Sequence, residues 1–265
     1  MISRQEWARR NVRENIRRSI RVVALPIVML VATDVQGGSA QRPATSTPSA
    51  TASAIPRLAN GKPDLNGVWE HTYVPDMTRN AKDQIGMSPL PFTPAGEQRF
   101  KAYDPGKFDY TGHCLPQGMT RSMNAPFPIE FVQTPTRLAV LFEAWNIFHV
   151  VPLDGRQFPK SLEPTWTGTS IGRWDRDTLV IETRGFNGKT NLDTVGHPHS
   201  DQLRLTQRFT RTDATHMAYE VIVDDPVTYS KPWANTRVFT LRPDWEILEY
   251  SCMENNKDLL EGHIK

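Results

Sequence analysis

The residues best suited to chemistry lie together in one polar segment, residues 196–201. His197 and His199 are separated by one residue, so in extended backbone both side chains project to the same side. Asp201 would add a carboxylate there, and imidazoles with a carboxylate form a ligand set for zinc and other transition metals. The same histidines could instead serve as an acid or base, hydrogen-bond a ligand, or form local hydrogen bonds within a loop. We name His199 as a candidate catalytic residue and His197 as a candidate ligand-binding residue.

A second group of candidates lies in the stretch 138–152, which we predict to be one strand. With a period of two, Glu143, Trp145 and His149 fall on one face of that strand. The apolar residues on the opposite face are Leu138, Val140, Phe142, Phe148 and Val150. If the polar face lines an enclosed site, burial would raise the pKa of Glu143 and neutralise His149, giving an acid–base pair beside an indole. The alternative is that this face is exposed to solvent.

The remaining candidates could contact a ligand at the mouth of a site. Arg121 lies between two methionines that could cover such a mouth, where its guanidinium would pair with an anionic group. Tyr229 and Trp233 could line the same opening or pack together as a loop cluster. Tyr219 is an aromatic residue on the inward face of a predicted strand, where it could contact a ligand held in the interior.

The elements that must position these residues read as antiparallel strands. The predicted strands after the first are residues 129–134, 138–152, 169–174, 178–184, 203–211, 216–223, 234–241 and 246–252. Alternation places Leu203, Leu205, Gln207 and Phe209 inward on one strand, and Met217, Tyr219, Val221 and Val223 inward on the next. About eight strands joined by turns predict an all-β meander that closes into a barrel, because closure hides the sheet edges. A two-sheet sandwich is the competing fold.

A long proline-rich insertion follows the first strand, at residues 75–128. It is irregular except for one short helix predicted over residues 93–103. Thr93 is the predicted N-cap and Pro94 the first helical residue.

A resemblance supports the barrel. The residues Gly67-Val68-Trp69 on the first strand resemble the G-x-W signature of lipocalin-like barrels, in which the tryptophan plugs the closed end. The wider pattern is similar to a group of uncharacterised exported bacterial proteins. The similar stretches are residues 63–69, 114–119, 172–174 with 177–180, 198–200, 225–226 and 232–233. This resemblance implies an exported barrel and supplies no established activity.

The first 60 residues differ in composition from the rest of the chain. Residues 1–40 are basic and contain the apolar run 22–32, whose length suits a signal-peptide core and is too short to span a bilayer. We predict a cleavable export signal at 1–40, a disordered Ser/Thr/Pro/Ala linker at 41–60, and one domain at 61–265. An uncleaved anchor or an amphipathic helix are the alternatives for the first segment. After cleavage we expect no stable membrane insertion and a periplasmic or secreted protein.

Export gives the two cysteines a role. Cys114 and Cys252 are the only cysteines, and oxidising compartments favour a disulfide over two buried free thiols, which is the alternative.

Composition and missing motifs exclude several functions. A net charge of +2 does not support nucleic-acid binding. The sequence lacks a G-x-S-x-G elbow, a glycine-rich phosphate loop and an H-E-x-x-H helix, and we expect no cofactor. The first hypothesis is a barrel that binds a small hydrophobic or aromatic ligand in its cavity. The second is a cofactor-independent lyase, isomerase or hydrolase in the same cavity, and the third a structural envelope protein. The oligomeric state stays open.

Overall fold

Antiparallel strands make up most of the regular secondary structure in a computed structural model that describes residues 54–254, 256, 257 and 261. Within those residues ten strands form one sheet. They are β1 (Gly67–His71), β2 (Gln84–Ile85), β3 (Ile129–Thr134), β4 (Arg137–Phe142), β5 (Ile147–Pro152), β6 (Thr169–Asp175), β7 (Thr178–Arg184), β8 (Arg204–Arg211), β9 (His216–Asp224) and β10 (Trp233–Leu241). The helices are α1 (Pro94–Ala102), α2 (Pro105–Phe108) and α3 (Met119–Asn124), with 3-10 turns at Tyr110–His113 and Ala144–Asn146. The predicted export signal and residues 41–53 of the predicted linker lie outside the described residues.

The sheet is a nearly closed barrel whose strands follow one another in chain order. Strands β3, β4 and β5 are neighbours, as are β6 to β10, and β1 lies between β10 and β3. The short β2 also pairs with β10, next to β1. The prediction of an all-β antiparallel barrel is therefore confirmed.

Two strand predictions were wrong. Residues 138–152 are not one strand, because a turn at Ala144–Asn146 divides them into the hairpin β4–β5. Residues 246–252 are not in a strand; backbone N–H groups of this segment instead bond to side chains at that turn, Leu248 to Glu143 and Tyr250 to Asn146. The helix prediction is confirmed, since α1 begins at Pro94 and the Thr93 hydroxyl accepts a hydrogen bond from the Gly96 N–H at 3.0 Å.

The barrel is completed between β5 and β6 by side chains. The described residues of these two strands share no backbone pairing, but His149 Nε2 lies 2.6 Å from Ser170 Oγ. Ser170 Oγ in turn lies 2.7 Å from Thr183 Oγ1 on β7. At Gly172 a Cβ atom would lie 2.6 Å from the Leu153 side chain, so glycine allows β6 to approach β5 closely. We refer to the contact of His149, Ser170 and Thr183 as the seam.

Large side chains fill the interior of the barrel. Trp69, Phe131, Phe209, Tyr219 and Phe239 are each at most 1% exposed. Neighbouring rings are in contact, with centroid distances of 5.2 Å for Phe131–Phe209, 4.9 Å for Phe209–Tyr219 and 5.2 Å for Tyr219–Phe239. Burial of one such side chain contributes roughly 1.5–3 kcal/mol to folding. The inward sets predicted for β8 and β9 are confirmed, and they form this packed core rather than the walls of an open lumen.

Trp69 is held from two sides. Its indole Nε1–H donates to the Leu65 carbonyl oxygen at 2.9 Å, and the Arg211 guanidinium lies 5.3 Å from its ring centroid. Arg211 also donates to the carbonyl oxygens of Asp64 and Ala214. The arginine therefore ties β8 to the segment that leads into β1.

Contacts near the two ends of the described chain fix it to the barrel. Within the stretch predicted as linker, the Arg57 side chain forms an ion pair with Asp177 at 2.5 Å, and the Arg57 backbone forms an isolated antiparallel β-bridge with Pro63. At the other end, the predicted disulfide is present between Cys114 and Cys252, which are 138 residues apart. The disulfide is consistent with a protein located outside the cytoplasm.

The disulfide should be a large contributor to stability. A loop of this length corresponds to about 5 kcal/mol in the chain-entropy treatment of crosslinks. We expect the double substitution Cys114→Ser/Cys252→Ser to lower the free energy of unfolding, measured in urea, by about 3–5 kcal/mol. Wild type treated with reductant should match the double variant, and equal stability of all three samples would show that the crosslink does not constrain the unfolded chain.

Candidate functional site

The candidates predicted to share one strand face are separated by the turn between β4 and β5. His149 points inward on β5 and is 7% exposed, whereas Phe148 and Val150 point outward. The inward residues of β4 are Leu138, Val140 and Phe142. These residues were predicted to lie on the opposite face from His149, but they share the inward face with it. Because the turn resets the alternation, that prediction was wrong.

Glu143 and Trp145 bind the C-terminal segment instead of lining an enclosed site. The Leu248 N–H donates to Glu143 Oε2 at 2.9 Å. Trp145, in the left-handed region at φ 62°, stacks on Tyr250 with a centroid distance of 5.0 Å. The structure therefore does not pair Glu143 with His149, whose ring bonds to Ser170 in the seam.

The predicted claw of His197, His199 and Asp201 is not formed. Both ring nitrogens of His199 have protein partners, since Nδ1 lies 2.9 Å from the Ser200 carbonyl oxygen and Nε2 lies 2.6 Å from Thr190 Oγ1. Asp201 is exposed. His199 consequently has no free nitrogen for a metal or for proton transfer, and burial lowers its pKa below the ordinary value.

His197 belongs to a different group, with two carboxylates. Asp193 is wholly buried; its Oδ2 lies 2.6 Å from His197 Nδ1 and its Oδ1 accepts from the His197 N–H at 3.1 Å. The imidazole stacks on Phe100 with a centroid distance of 4.6 Å. Asp76, Asp193 and His197 each offer one possible metal-ligand atom, and these three atoms lie within 4.8 Å of one another. Such a set is able to hold a metal ion. The same contacts fix His197 in the way that carboxylates orient catalytic imidazoles.

Arg121 is already paired within the protein. Its guanidinium donates to both carboxylate oxygens of Asp109, at 2.9 and 2.8 Å, and lies 5.2 Å from the Tyr110 ring centroid. Burial alone would raise the pKa of Asp109, but hydrogen bonds from Arg121 lower it below the ordinary value. Arg121 was predicted to pair with an anionic ligand, and Asp109 occupies the place of that ligand.

The aromatic candidates are packed inside the molecule. Tyr229 and Trp233 make an edge contact at 5.5 Å, and the Tyr229 hydroxyl donates to the Pro198 carbonyl oxygen at 2.9 Å. The two residues therefore pack together as a loop cluster, which was the alternative to lining the mouth of the barrel. Tyr219 OH accepts a hydrogen bond from Gln207 Nε2 at 3.0 Å in the core.

Arg237 on β10 is a buried charged residue with an unsatisfied nitrogen. It is 3% exposed, and none of the ion pairs among those residues involves it. Its Nε donates to Asn235 Oδ1 at 2.9 Å and its Nη1 to the Met123 carbonyl oxygen at 2.8 Å. Its third nitrogen, Nη2, is buried without a hydrogen-bond partner. Burial lowers the pKa of Arg237 to about 10, while Tyr219, whose ring centroid is 4.9 Å away, opposes that shift.

His71, the last residue of β1, also has a buried nitrogen without a hydrogen-bond partner. Its ring stacks on Phe239 with a centroid distance of 4.9 Å, and its Nδ1 lies 3.2 Å from the Thr72 carbonyl oxygen. Its Nε2 is buried without a partner. Burial, and secondarily the charge of Arg237, lowers the pKa of His71 to about 4. The side-chain oxygens of Ser122 and Asn124, which flank Met123 on α3, are also buried without partners.

These four residues, Arg237, His71, Ser122 and Asn124, are termed the polar cluster. The elements that carry them, β1, α3 and β10, are in contact. The carbonyl oxygen of Met123 accepts from Arg237, and His71 pairs with Phe239 in the sheet. A buried polar atom without a partner costs about 1–3 kcal/mol, so several such atoms on three contacting elements point to a binding site.

An open groove on the outer side of the sheet reaches one residue of the polar cluster, His71. Strand β1 pairs with β10 at residues 239–241 and β2 pairs with β10 at residues 236–237, so two separate strands cover the same edge of β10. The groove lies at this junction and has a volume of about 300 Å³. It is lined by Glu70, His71, Thr72, Lys82, Asp83, His216, Val238 and Thr240. His71 belongs both to the groove and to the polar cluster.

The sequence contained a signal for Arg237 that motif reasoning missed. Alternation along β10 puts Trp233, Asn235, Arg237 and Phe239 on one face, and two aromatic residues mark that face as inward.

Comparisons with protein-family models, curated proteins and solved structures give no match. Among the described residues, none of the helices has the length and apolar character needed to cross a bilayer.

The buried histidines predict a loss of stability in mild acid. Since the pKa values of His71 and His149 are both about 4 in the folded protein, the unfolded chain binds protons below pH 6.5 that the folded protein does not. The free energy of unfolding should therefore fall by about 3 kcal/mol for each histidine between pH 6.5 and 4. Urea unfolding at several pH values measures this.

The substitution His149→Gln tests whether His149 causes part of this pH dependence of stability. Glutamine can still hydrogen-bond to Ser170 but does not titrate, so the slope of stability against pH should become shallower. His113→Gln, at an exposed histidine, is the matched control and should leave the slope unchanged. An identical slope in wild type and His149→Gln would contradict the assignment.

Proposed function

We propose that the protein is an exported, periplasmic or secreted barrel that binds a small organic ligand in the groove beside the polar cluster. The observation that carries this proposal is Arg237 Nη2, a buried donor without a partner on a cation without a carboxylate. The disulfide supports the location, and the G-x-W residues Gly67-Val68-Trp69 support a lipocalin-like relationship as part of the same proposal.

Burial removes the water that would otherwise solvate the Arg237 guanidinium. A buried cation is stable only when it is paired or fully hydrogen-bonded, and the two hydrogen bonds of Arg237 to neutral oxygens leave its charge unpaired. A ligand atom placed against Nη2 would remove that cost. The groove volume of about 300 Å³ lies at the lower limit of small-molecule sites. The rings of Tyr219 and Phe239 beside the polar cluster supply aromatic surface.

This proposal relocates the site within the barrel. The interior positions predicted to line a ligand cavity are occupied by the aromatic core, so the ligand enters from the junction of β1 and β2 with β10. The ligand-contacting residues become Arg237 and His71. Of the residues named from the sequence, Tyr219 alone remains beside the site.

An acid–base enzyme is the second candidate function, favoured by the contact of His197 with Asp193. A carboxylate that holds Nδ1–H fixes the tautomer and leaves Nε2 as the base, which is the arrangement needed for a lyase, isomerase or hydrolase. This pair replaces His199, His149 and Glu143 as the catalytic candidates. If turnover of any small ester or hydroxy acid is found, His197→Gln should reduce kcat by at least about 100-fold.

Native mass spectrometry tests the binding proposal directly. Protein purified under mild conditions from the exported fraction should carry a small organic molecule that dissociates on activation. Substitution Arg237→Met removes the unpaired donor and should abolish that mass difference. Arg211→Met is the matched control, since it removes a core arginine of the same barrel whose guanidinium has backbone partners, and it should keep the ligand. Retention of the ligand by Arg237→Met would contradict the proposal.

A further inference from the structure

The proposed function leaves the chemical class of the ligand open, and the charges around Arg237 restrict it. No ion pair of the described residues joins a carboxylate to Arg237, and of the two acids that line the groove, Glu70 and Asp83, Glu70 pairs with Arg242. The oxygens that accept from Arg237 are neutral. A neutral ligand would satisfy Nη2 as a donor but would leave a full positive charge in a medium of low dielectric constant. The group that completes the site must therefore be negative.

His71 adds a second condition. The Thr72 carbonyl oxygen lies 3.2 Å from Nδ1, and in the neutral tautomer whose proton is on Nδ1, Nε2 presents a lone pair. A lone pair would repel an anion bound at Arg237. When Nε2 takes up a proton, the same atom becomes a donor that the anion can accept. The groups facing His71 are Arg237 from β10, the carbonyl oxygens of Thr72 and Phe127, and the groove residues Glu70, Lys82, Asp83 and His216.

The number of donors selects the kind of anion. Arg237 has one nitrogen free, because Nε and Nη1 already donate to the protein. His71 offers one more donor once Nε2 is protonated. Two donor atoms, Nη2 with its two N–H groups and protonated Nε2, can face the two oxygens of a carboxylate, whereas a phosphate or sulfate brings additional oxygens that face neither nitrogen.

Resting on the proposed function, we infer that the ligand is an organic acid whose carboxylate lies between Arg237 Nη2 and His71 Nε2, and that one proton is taken up with it. The proton comes from solvent and ends on His71 Nε2, and no covalent bond forms or breaks. Tyr219 and Phe239, which contact Arg237 and His71, place aromatic surface next to the carboxylate. An aromatic or arylacetic acid of low mass satisfies these conditions.

The test is calorimetric titration of the full exported chain at pH 7 with four acids and their amides. The probes are acetate, benzoate, phenylacetate and indole-3-acetate, each paired with its amide, and inorganic phosphate is titrated separately. At least one aromatic acid should bind about tenfold or more tightly than its amide. Repeating the titration in buffers of different ionisation enthalpy should give an uptake of about one proton per acid bound.

Two variants separate the residues. His71→Gln should remove the proton uptake and weaken the acid about tenfold, while Arg237→Met should abolish binding of the acid. His113→Gln changes an exposed histidine that does not line the groove, and it should alter neither quantity. Circular dichroism and thermal melting of each variant establish that it is folded. If His71→Gln is unfolded, the proton uptake of wild type alone decides the role of His71.

Each result has a defined meaning. Equal affinity for acids and amides, or preference for phosphate, overturns the carboxylate assignment and leaves the binding proposal standing. A retained ligand without a carboxylate, found by mass spectrometry, does the same. Binding of an acid without proton uptake overturns the role of His71. If neither acids nor amides bind and no molecule is retained, both this inference and the proposed function fail.

Discussion

Closure of the sheet through β1 is the constraint from which the rest of the structure follows. Strand β1 pairs with β10 on one side and with β3 on the other, so it joins the hairpins β3–β5 to the meander β6–β10. Once the two groups are joined, every strand has one face that must be filled from within. The remaining opening, between β5 and β6, is bridged by the seam of His149, Ser170 and Thr183.

The same constraint places a charge inside the barrel. In β10, residues Trp233 and Phe239 are 2% and 0% exposed, and their parity forces Arg237 to face inward. A shift of one residue would expose both aromatic side chains, a larger loss than the cost of one buried guanidinium with two hydrogen bonds. The position of Arg237 is therefore imposed by the register of β10. Its missing partner is the feature that the register alone does not explain.

The fold was predictable to a greater extent than the site. Alternation such as that of Leu205, Gln207 and Phe209 specified inward faces directly, and Thr93 with Pro94 specified the start of α1. The stretch 138–152 misled because its apolar residues continue across a turn whose residues, Glu143 to Asn146, carry no glycine or proline to mark it. Period-two reasoning fails wherever such a turn restarts the alternation.

The site was missed because its residues are unremarkable singly. His197 and His199 drew attention by their spacing, yet loop geometry gave each its own partner, Asp193 for one and Thr190 for the other. The polar cluster combines β1, α3 and β10, which are far apart in the chain. Only closure of the barrel brings those elements together, and only the full set of hydrogen bonds shows which nitrogens lack partners.

The most direct measurement of the central claim is a high-resolution crystal structure of the protein as isolated from the exported fraction. We expect density for a non-water group with an oxygen atom within about 3 Å of Arg237 Nη2, and a second oxygen within about 3 Å of His71 Nε2. A structure in which water alone, or a carboxylate of the protein itself, occupies the position beside Nη2 would contradict the account.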